Sequence, residues 1–146
     1  MNFTDYANTV DQRMQTVKDV AHYAVMLCDN LYMDYKIRAM QSHRHCIERG
    51  ESVEYHQKAL DAMYETGANV EFYLDEGRKY YKLIMRYTEM KNQSVHAFID
   101  KKSGEVFKPS SWKSPAKGAR YNLLDTESRE TCYRNADWAG GYLYLR

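Results

Sequence analysis

Long apolar runs are missing from this chain; its hydrophobic stretches extend over a handful of residues, against the roughly 20 that a bilayer-spanning helix needs. The opening residues, Met1 to Tyr6, carry no basic segment followed by an apolar one, so neither secretion nor membrane insertion is expected. Cysteine is scarce as well. Cys28, Cys46 and Cys132 cannot all pair and form no CxxC, which argues against a disulfide scaffold and for a reducing cytoplasm. GxSxG, P-loop, GxGxxG and HExxH patterns are absent. With them go the local arrangements for a hydrolase elbow, a nucleotide cradle, a dinucleotide turn and a zinc-protease helix, and no cofactor is implied. Glycine and proline are missing from the first 49 residues, and the whole chain holds only Pro109 and Pro115.

What is present is enough apolar material to fold. Hydrophobic residues make up 44% and charged residues 28% of 146 positions, with a mean hydropathy of -0.77, a composition of a globular domain rather than a disordered tail. The net charge of +1 hides an asymmetry. Through Ala68, 7 basic residues face 10 acidic ones; after it, 14 basic residues face 10. Between Gly77 and Leu124, 11 Lys and Arg meet only Glu89, Asp100 and Glu105. Such a basic block concentrates polyanions and speeds their encounter, while saying little about fold.

The acidic first half, residues 1–68, reads as helical. Phe3, Val10, Val17, Ala24 and Leu31 recur every seven residues, and Tyr6, Val20 and Leu27 fill the three-residue offset, so one apolar stripe runs along a helix, interrupted by Arg13 and Asp34. Thr9 with Gln12 reads as a capping box and Gly50 as a stop. A second helix starts at Ser52, presents Val53, Leu60 and Met63, and ends at Gly67. An unbroken first helix of about 45 residues would span about 68 Å, so it is expected either to bend near Asp29 and Asn30 or to associate with another copy. Self-association through these helices is the favoured reading; folding back onto the sheet of the same chain is the alternative. His43, His45, Cys46, Glu48, Glu51 and His56 are metal-ligand types, but their spacing supplies no second ligand pair, and no metal site is expected.

After Gly67 the spacing changes to alternation. Val70, Phe72 and Leu74 oppose Glu71, Tyr73 and Asp75, and Asp75-Glu76-Gly77 turns into Tyr81, Leu83, Met85 and Tyr87. Lys91-Asn92-Gln93 connects to Val95, Ala97 and Ile99, and Lys101-Lys102-Ser103-Gly104 turns into Val106 and Phe107 before Pro109 ends the strand. Ser114 at an N-cap and Pro115 behind it predict a short helix within residues 112–124, with Ala116, Ala119 and Leu123 toward the sheet. A further helix is predicted from Thr126 to Ala136, and a final strand over Tyr142 to Leu145. The expected fold is therefore α+β: an N-terminal helical hairpin, then a four- to five-stranded antiparallel sheet with one or two short helices in residues 69–146.

The candidate site follows from that helix start. Free amides at Ser114 to Lys117, flanked by Lys113 and Arg120, form a phosphate seat, which Lys101, Lys102 and Lys108 extend into a track. Phe107, Trp112 and Tyr121 offer faces on which bases stack. The expected ligand is nucleic acid or a nucleotide-like anion. The competing account is that the aromatics fill the core and the lysines only keep the turns soluble. A catalytic role for His96 and Cys132 lacks a third group, and His96 is expected on the outward face of its strand, in solvent.

Three stretches resemble small uncharacterised proteins of tailed bacteriophages: Gly77-Arg-Lys-Tyr-Tyr-Lys-Leu-Ile, then Ser94 through Lys117, then Ala136-Asp-Trp-Ala-Gly-Gly-Tyr-Leu-Tyr. The resemblance covers residues 77 to 144. It implies a phage product in the cytoplasm of the bacterial host, with the helical half as an appended oligomerisation device, and it brings no catalytic residues. A virion or host-interaction role through the helices, and an antidefence role sequestering a nucleotide signal, are the alternatives it leaves open.

Overall fold

A computed structural model describes residues 2–144. Helix α1 runs without interruption from Phe3 to Glu48, 46 residues or about 69 Å. Its start is capped by Asn2, whose side-chain oxygen accepts from the Asp5 amide at 2.8 Å. Thr9 and Thr16 do not cap: each hydroxyl donates to the carbonyl four residues earlier, the mid-helix habit of threonine. The helix is continuous through Asp29 and Asn30. The chain turns after Arg49 through Gly50 (φ 73°) and Ser52 (φ 45°) into α2, Val53–Thr66. Leu60 and Met63 of α2 pack with Met40 and Ile47 of α1 in a small satellite cluster. Gly67 (φ 87°) ends α2 under Tyr32, whose hydroxyl accepts from the Ala68 amide; a Cβ at Gly67 would lie 2.5 Å from that oxygen.

Five antiparallel strands then form a meander in sequence order: β1 Val70–Glu76, β2 Tyr80–Tyr87, β3 Gln93–Asp100, β4 Glu105–Phe107 and β5 Tyr121–Asn122. Alternation divides the sheet into two faces. Val70, Phe72, Leu74, Leu83, Ala97, Ile99 and Val106 share one face by register. On it lie Val20, Ala24, Leu27, Cys28 and Leu31 of α1, all in one cluster with Tyr121, Leu123, Cys132, Tyr142 and Leu143. The α1 stripe thus folds onto the sheet of its own chain. Helix α3, Thr126–Asn135, is capped by Asp125 and closes the edge of this core. Arg129 stacks 3.9 Å from the Tyr23 ring, and the Tyr133 hydroxyl donates to the Tyr23 carbonyl at 2.7 Å.

Two expectations are overturned near the C-terminus. Residues 109–120 are irregular, joined by a bridge between Pro109 and Pro115, and Tyr121–Asn122 is strand, so there is no helix behind Ser114. The Ser114 carbonyl instead accepts from the amides of Ser110 and Ser111, closing a tight loop. The last described element is a 3-10 turn, Gly141–Tyr144, rather than a strand; Leu145 lies outside the described residues. A single extra residue in β3 is equally consequential. Leu83 pairs with Ala97 and Ile84 with Val95, so His96 stands unopposed in a β-bulge.

Because α1 covers the sheet with a dense stripe, Leu27→Ala should cost about 2–5 kcal/mol, whereas Met14→Ala on the exposed part of α1 should stay within about 0.5 kcal/mol. Urea unfolding of the two variants checks this; equal midpoints would contradict the packing.

Candidate anion-binding site

The basic residues gather at one end of the sheet. The β1–β2 turn, Gly77 to Lys79, and the β3–β4 turn, Lys101 to Gly104, lie side by side because the Lys101 amide donates to the Lys79 carbonyl at 3.0 Å. Asp100 fixes the second turn by accepting from the amides of Lys102 and Ser103, and Gly104 (φ 76°) closes it. Over the sheet face away from α1 reaches the tip of the 109–120 loop, Trp112 and Lys113. Two cavities flank this end of the sheet, the first on the face away from α1 and the second on the α1 side, against Val17. One, of 240 Å³, is lined by Arg78, Lys79, Lys82, Lys113, Tyr80 and Phe98, with Asp75 and Gly77 at its edge. The other, of 520 Å³, is lined by Lys101, Lys102, Asp100, Ser103 and Val17 and shares Arg78 and Lys79 with the first.

Flat aromatic surface accompanies these cations. Phe98 is buried beneath Tyr80, ring centres 5.8 Å apart, and Tyr80 meets Phe107 edge-on at 6.0 Å. Trp112 is 45% exposed, with the Lys82 ammonium 4.8 Å from its ring, and Lys79 lies 5.3 Å from Tyr80. Such lysines are held by ring faces rather than by carboxylates, which leaves their donors toward solvent.

Of the sequence-derived candidates, Lys101, Lys102, Trp112 and Lys113 come together here. Lys101 is the least available, since its ammonium donates to Glu76 and to the Gly77 carbonyl. The others do different work. Ser114 holds its loop, with its hydroxyl among those of Ser110 and Ser111. Lys117 lines neither cavity. Arg120 donates to the carbonyls of Leu143, Lys117 and Gly118, a backbone clamp. Tyr121 is buried, its hydroxyl donating to the Tyr142 carbonyl at 3.0 Å. Lys108 sits at the other end of the sheet, 4.2 Å from the Tyr144 ring. The phosphate seat at a helix start therefore does not exist. Missed by the sequence reading were Arg78, Lys79 and Lys82. Their signal was the Lys79-Tyr80-Tyr81-Lys82 pattern beside a turn, in which Tyr80 and Lys82 share the face opposite the core.

His96 is a second correction. The bulge turns it onto the core side, where it is 8% exposed, packs edge-on to Phe72 and bonds through Nε2 to the Tyr142 hydroxyl at 2.9 Å. Burial pushes its pKa down to about 4, with Asp137 opposing. Cys28 and Cys132 are buried and their thiols are pushed up to about 12, chiefly by desolvation, so neither supplies a thiolate at neutral pH. Of the metal-ligand types near the end of α1, His43 and His56 meet at 2.8 Å through their Nδ1 atoms. Burial, then His56, lowers the pKa of His43. Among the described residues no group of three or more His, Cys, Asp or Glu is arranged to hold a metal ion.

Fold and site together define a small α+β protein with a cationic, aromatic end on its uncovered sheet face. The chain belongs to a family of unknown function, DUF7717, matched over residues 3–145. That match embraces both the helical half and the sheet, so α1 and α2 are part of the family's unit and not an addition to it. No curated protein and no solved structure matches the chain. No helix among the described residues is long and apolar enough to cross a membrane.

The pH dependence of stability follows from His96. An unfolded histidine takes up a proton near pH 6.5, while the folded ring does so only near 4. Between those values the unfolded chain binds more protons, so stability falls as the pH drops through this window, by about 3 kcal/mol, and His96 adds no further loss below it. Denaturant titrations from pH 7 to 4 should show a larger loss in the wild type than in His96→Gln, which keeps only the smaller contribution of His43; parallel curves would refute the assignment.

Proposed function

We propose that the protein binds a phosphate-bearing chain, single-stranded nucleic acid, along the end of the sheet formed by Arg78, Lys79, Lys82, Lys102 and Lys113. The observation that carries this reading is the pair of adjoining cavities sharing Arg78 and Lys79, with Tyr80 and Trp112 alongside. Cations in a row neutralise successive phosphates, while exposed aromatic rings accept unstacked bases at about 1–3 kcal/mol each. Capture of a nucleotide signal is the small-ligand version of the same chemistry, for which the 520 Å³ cavity is the roomier of the two. The resemblance to tailed-phage proteins would place this binding in the cytoplasm of an infected bacterium.

Fluorescence titration with a short oligodeoxynucleotide tests it. Affinity should fall steeply between about 50 and 200 mM salt. Lys79→Gln, Lys82→Gln and Lys113→Gln should each lower the logarithmic salt slope by about 0.7, and Lys117→Gln should leave it unchanged. Trp112→Ala should weaken binding about tenfold or more at every salt concentration. Salt-insensitive binding, or none, sinks the proposal.

A second reading, self-association, rests on α1. Its first turns extend past the core cluster, whose first α1 member is Val20, and leave Phe3 83% exposed together with Tyr6 and Met14. A second copy burying these residues would serve a virion or host-facing role as readily as a nucleic-acid one. Sedimentation equilibrium should give a dimer or larger species that Phe3→Asp with Met14→Asp dissociates; a wild-type monomer at high micromolar concentration disposes of it.

A further inference from the structure

At the opposite end of β2 and β3, where residues 138–144 close over the sheet, lies a separate cavity of 360 Å³. Its lining is mixed: Met85, Tyr87, Trp138 and Leu143 supply apolar, partly flat surface, and Ser94, His96 and Lys108 supply polar groups. Lys108 is the one charged residue among its lining, and no carboxylate of the described residues lines it. His96 also faces it, and its hydrogen bonding is half complete. Nε2 meets the Tyr142 hydroxyl at 2.9 Å, whereas Nδ1 has no hydrogen-bond partner among the described residues. The Tyr142 hydroxyl, itself buried, has no other acceptor among those residues. It therefore donates to Nε2, which places the proton of the neutral ring on Nδ1. Gly140 (φ 85°) lies at that edge of the ring; a Cβ there would come within 3.7 Å of Cε1 and 3.9 Å of Nδ1, so the glycine keeps the edge open to the cavity.

Nδ1 therefore opens on the cavity and not on protein, so its hydrogen-bond partner is whatever the cavity holds. Here the donor, the ammonium of Lys108 and the flat apolar part of the lining suit an anion with an apolar body. We propose that this cavity binds a small organic carboxylate, its oxygen accepting from His96 Nδ1–H beside Lys108 and its flat apolar body resting against the Tyr87 and Trp138 side of the cavity, whose rings are backed by Tyr35. Apolar walls with a few placed polar groups are the usual make-up of small-molecule sites. Burial keeps the ring neutral well below physiological pH, so it offers a single fixed donor. The site is independent of the cationic end of the sheet, whose cavities share no residue with it.

Benzoate is the probe. In Trp112→Phe, Trp138 is the only tryptophan, and its fluorescence should change saturably with benzoate, half-saturating in the millimolar range that about nine non-hydrogen atoms support. Benzamide and inorganic phosphate should each bind at least tenfold more weakly, the first for want of charge and the second for want of an apolar body. His96→Phe, shown folded by circular dichroism, should lose at least tenfold in benzoate affinity. Independently of any substitution, nitrogen NMR of the wild type should find Nδ1 protonated and Nε2 bare, with the Nδ1 resonance shifting on benzoate addition. A proton on Nε2, absence of saturation, or equal binding of benzamide or phosphate overturns the proposal.

Discussion

The structure depends on one act of burial, the covering of a single sheet face by the middle of α1. Val20, Ala24, Leu27, Cys28 and Leu31 are spaced to form one stripe, and each lies against residues of the inward face. At about 25 cal/mol per Å² of apolar surface removed from water, burial of this kind is the main favourable contribution to folding. The helix supplies it to one face only. Pro109, Pro115 and the serines of the intervening loop reach over part of the other, where Phe98 and Ile84 are buried, and the remainder stays polar. An antiparallel sheet with one face covered by a helix can carry charged side chains on the other, and that is where Lys82 and Arg86 project, the latter paired with Glu71.

Local irregularity then places the buried polar group. A strict alternation through Val95, Ala97 and Ile99 would send His96 into solvent. One unpaired residue reverses that outcome, because a bulge changes which side chains share a face. The histidine accepts a hydrogen bond from Tyr142, and Asp137 anchors the same segment by accepting from the amides of Gly141 and Tyr142. The C-terminal 3-10 turn is thus held against the sheet by polar contacts as well as by Leu143. Stability at acid pH and the shape of the 360 Å³ cavity have this common origin.

Much of the fold was legible because it rests on periodicity. The seven-residue recurrence from Phe3 to Leu31, the stop at Gly67 and the alternation through β1 and β2 all lead to elements that exist. The length of α1 was legible too, but not what covered it, since a stripe of apolar residues does not say whether its partner is the same chain or another. Residues 109–120 misled for a physical reason. Ser-Pro suits a helix start, yet Pro115 instead bridges Pro109 and the serines close a loop among themselves, a competition between side-chain and helical hydrogen bonding that serine commonly wins. The bulge left no mark in the pattern, because His96 between Val95 and Ala97 looks like an outward polar position. For the cationic end of the sheet, composition pointed to the block from Gly77 to Leu124 but did not separate side chains that are free from those that hold the fold. Arg120 and Tyr121 were nominated for being basic and aromatic, and both serve the core and its border.

That misranking points to what separates an available cation from a structural one. Arg120 is held by three carbonyls and Lys101 by Glu76 and a turn carbonyl, so recruiting either for a ligand would break contacts already made. Lys79 and Lys82 rest against ring faces, an attraction worth about 0.5–1 kcal/mol at exposed positions. A phosphate can draw these ammonium groups off their rings at small cost, and doing so uncovers the very aromatic surface on which a base would stack. On the proposed reading charge and stacking at this end of the sheet would be coupled: an anion that drew off the lysines would also gain access to Tyr80 and Trp112, which would favour one carrying a flat ring over inorganic phosphate alone.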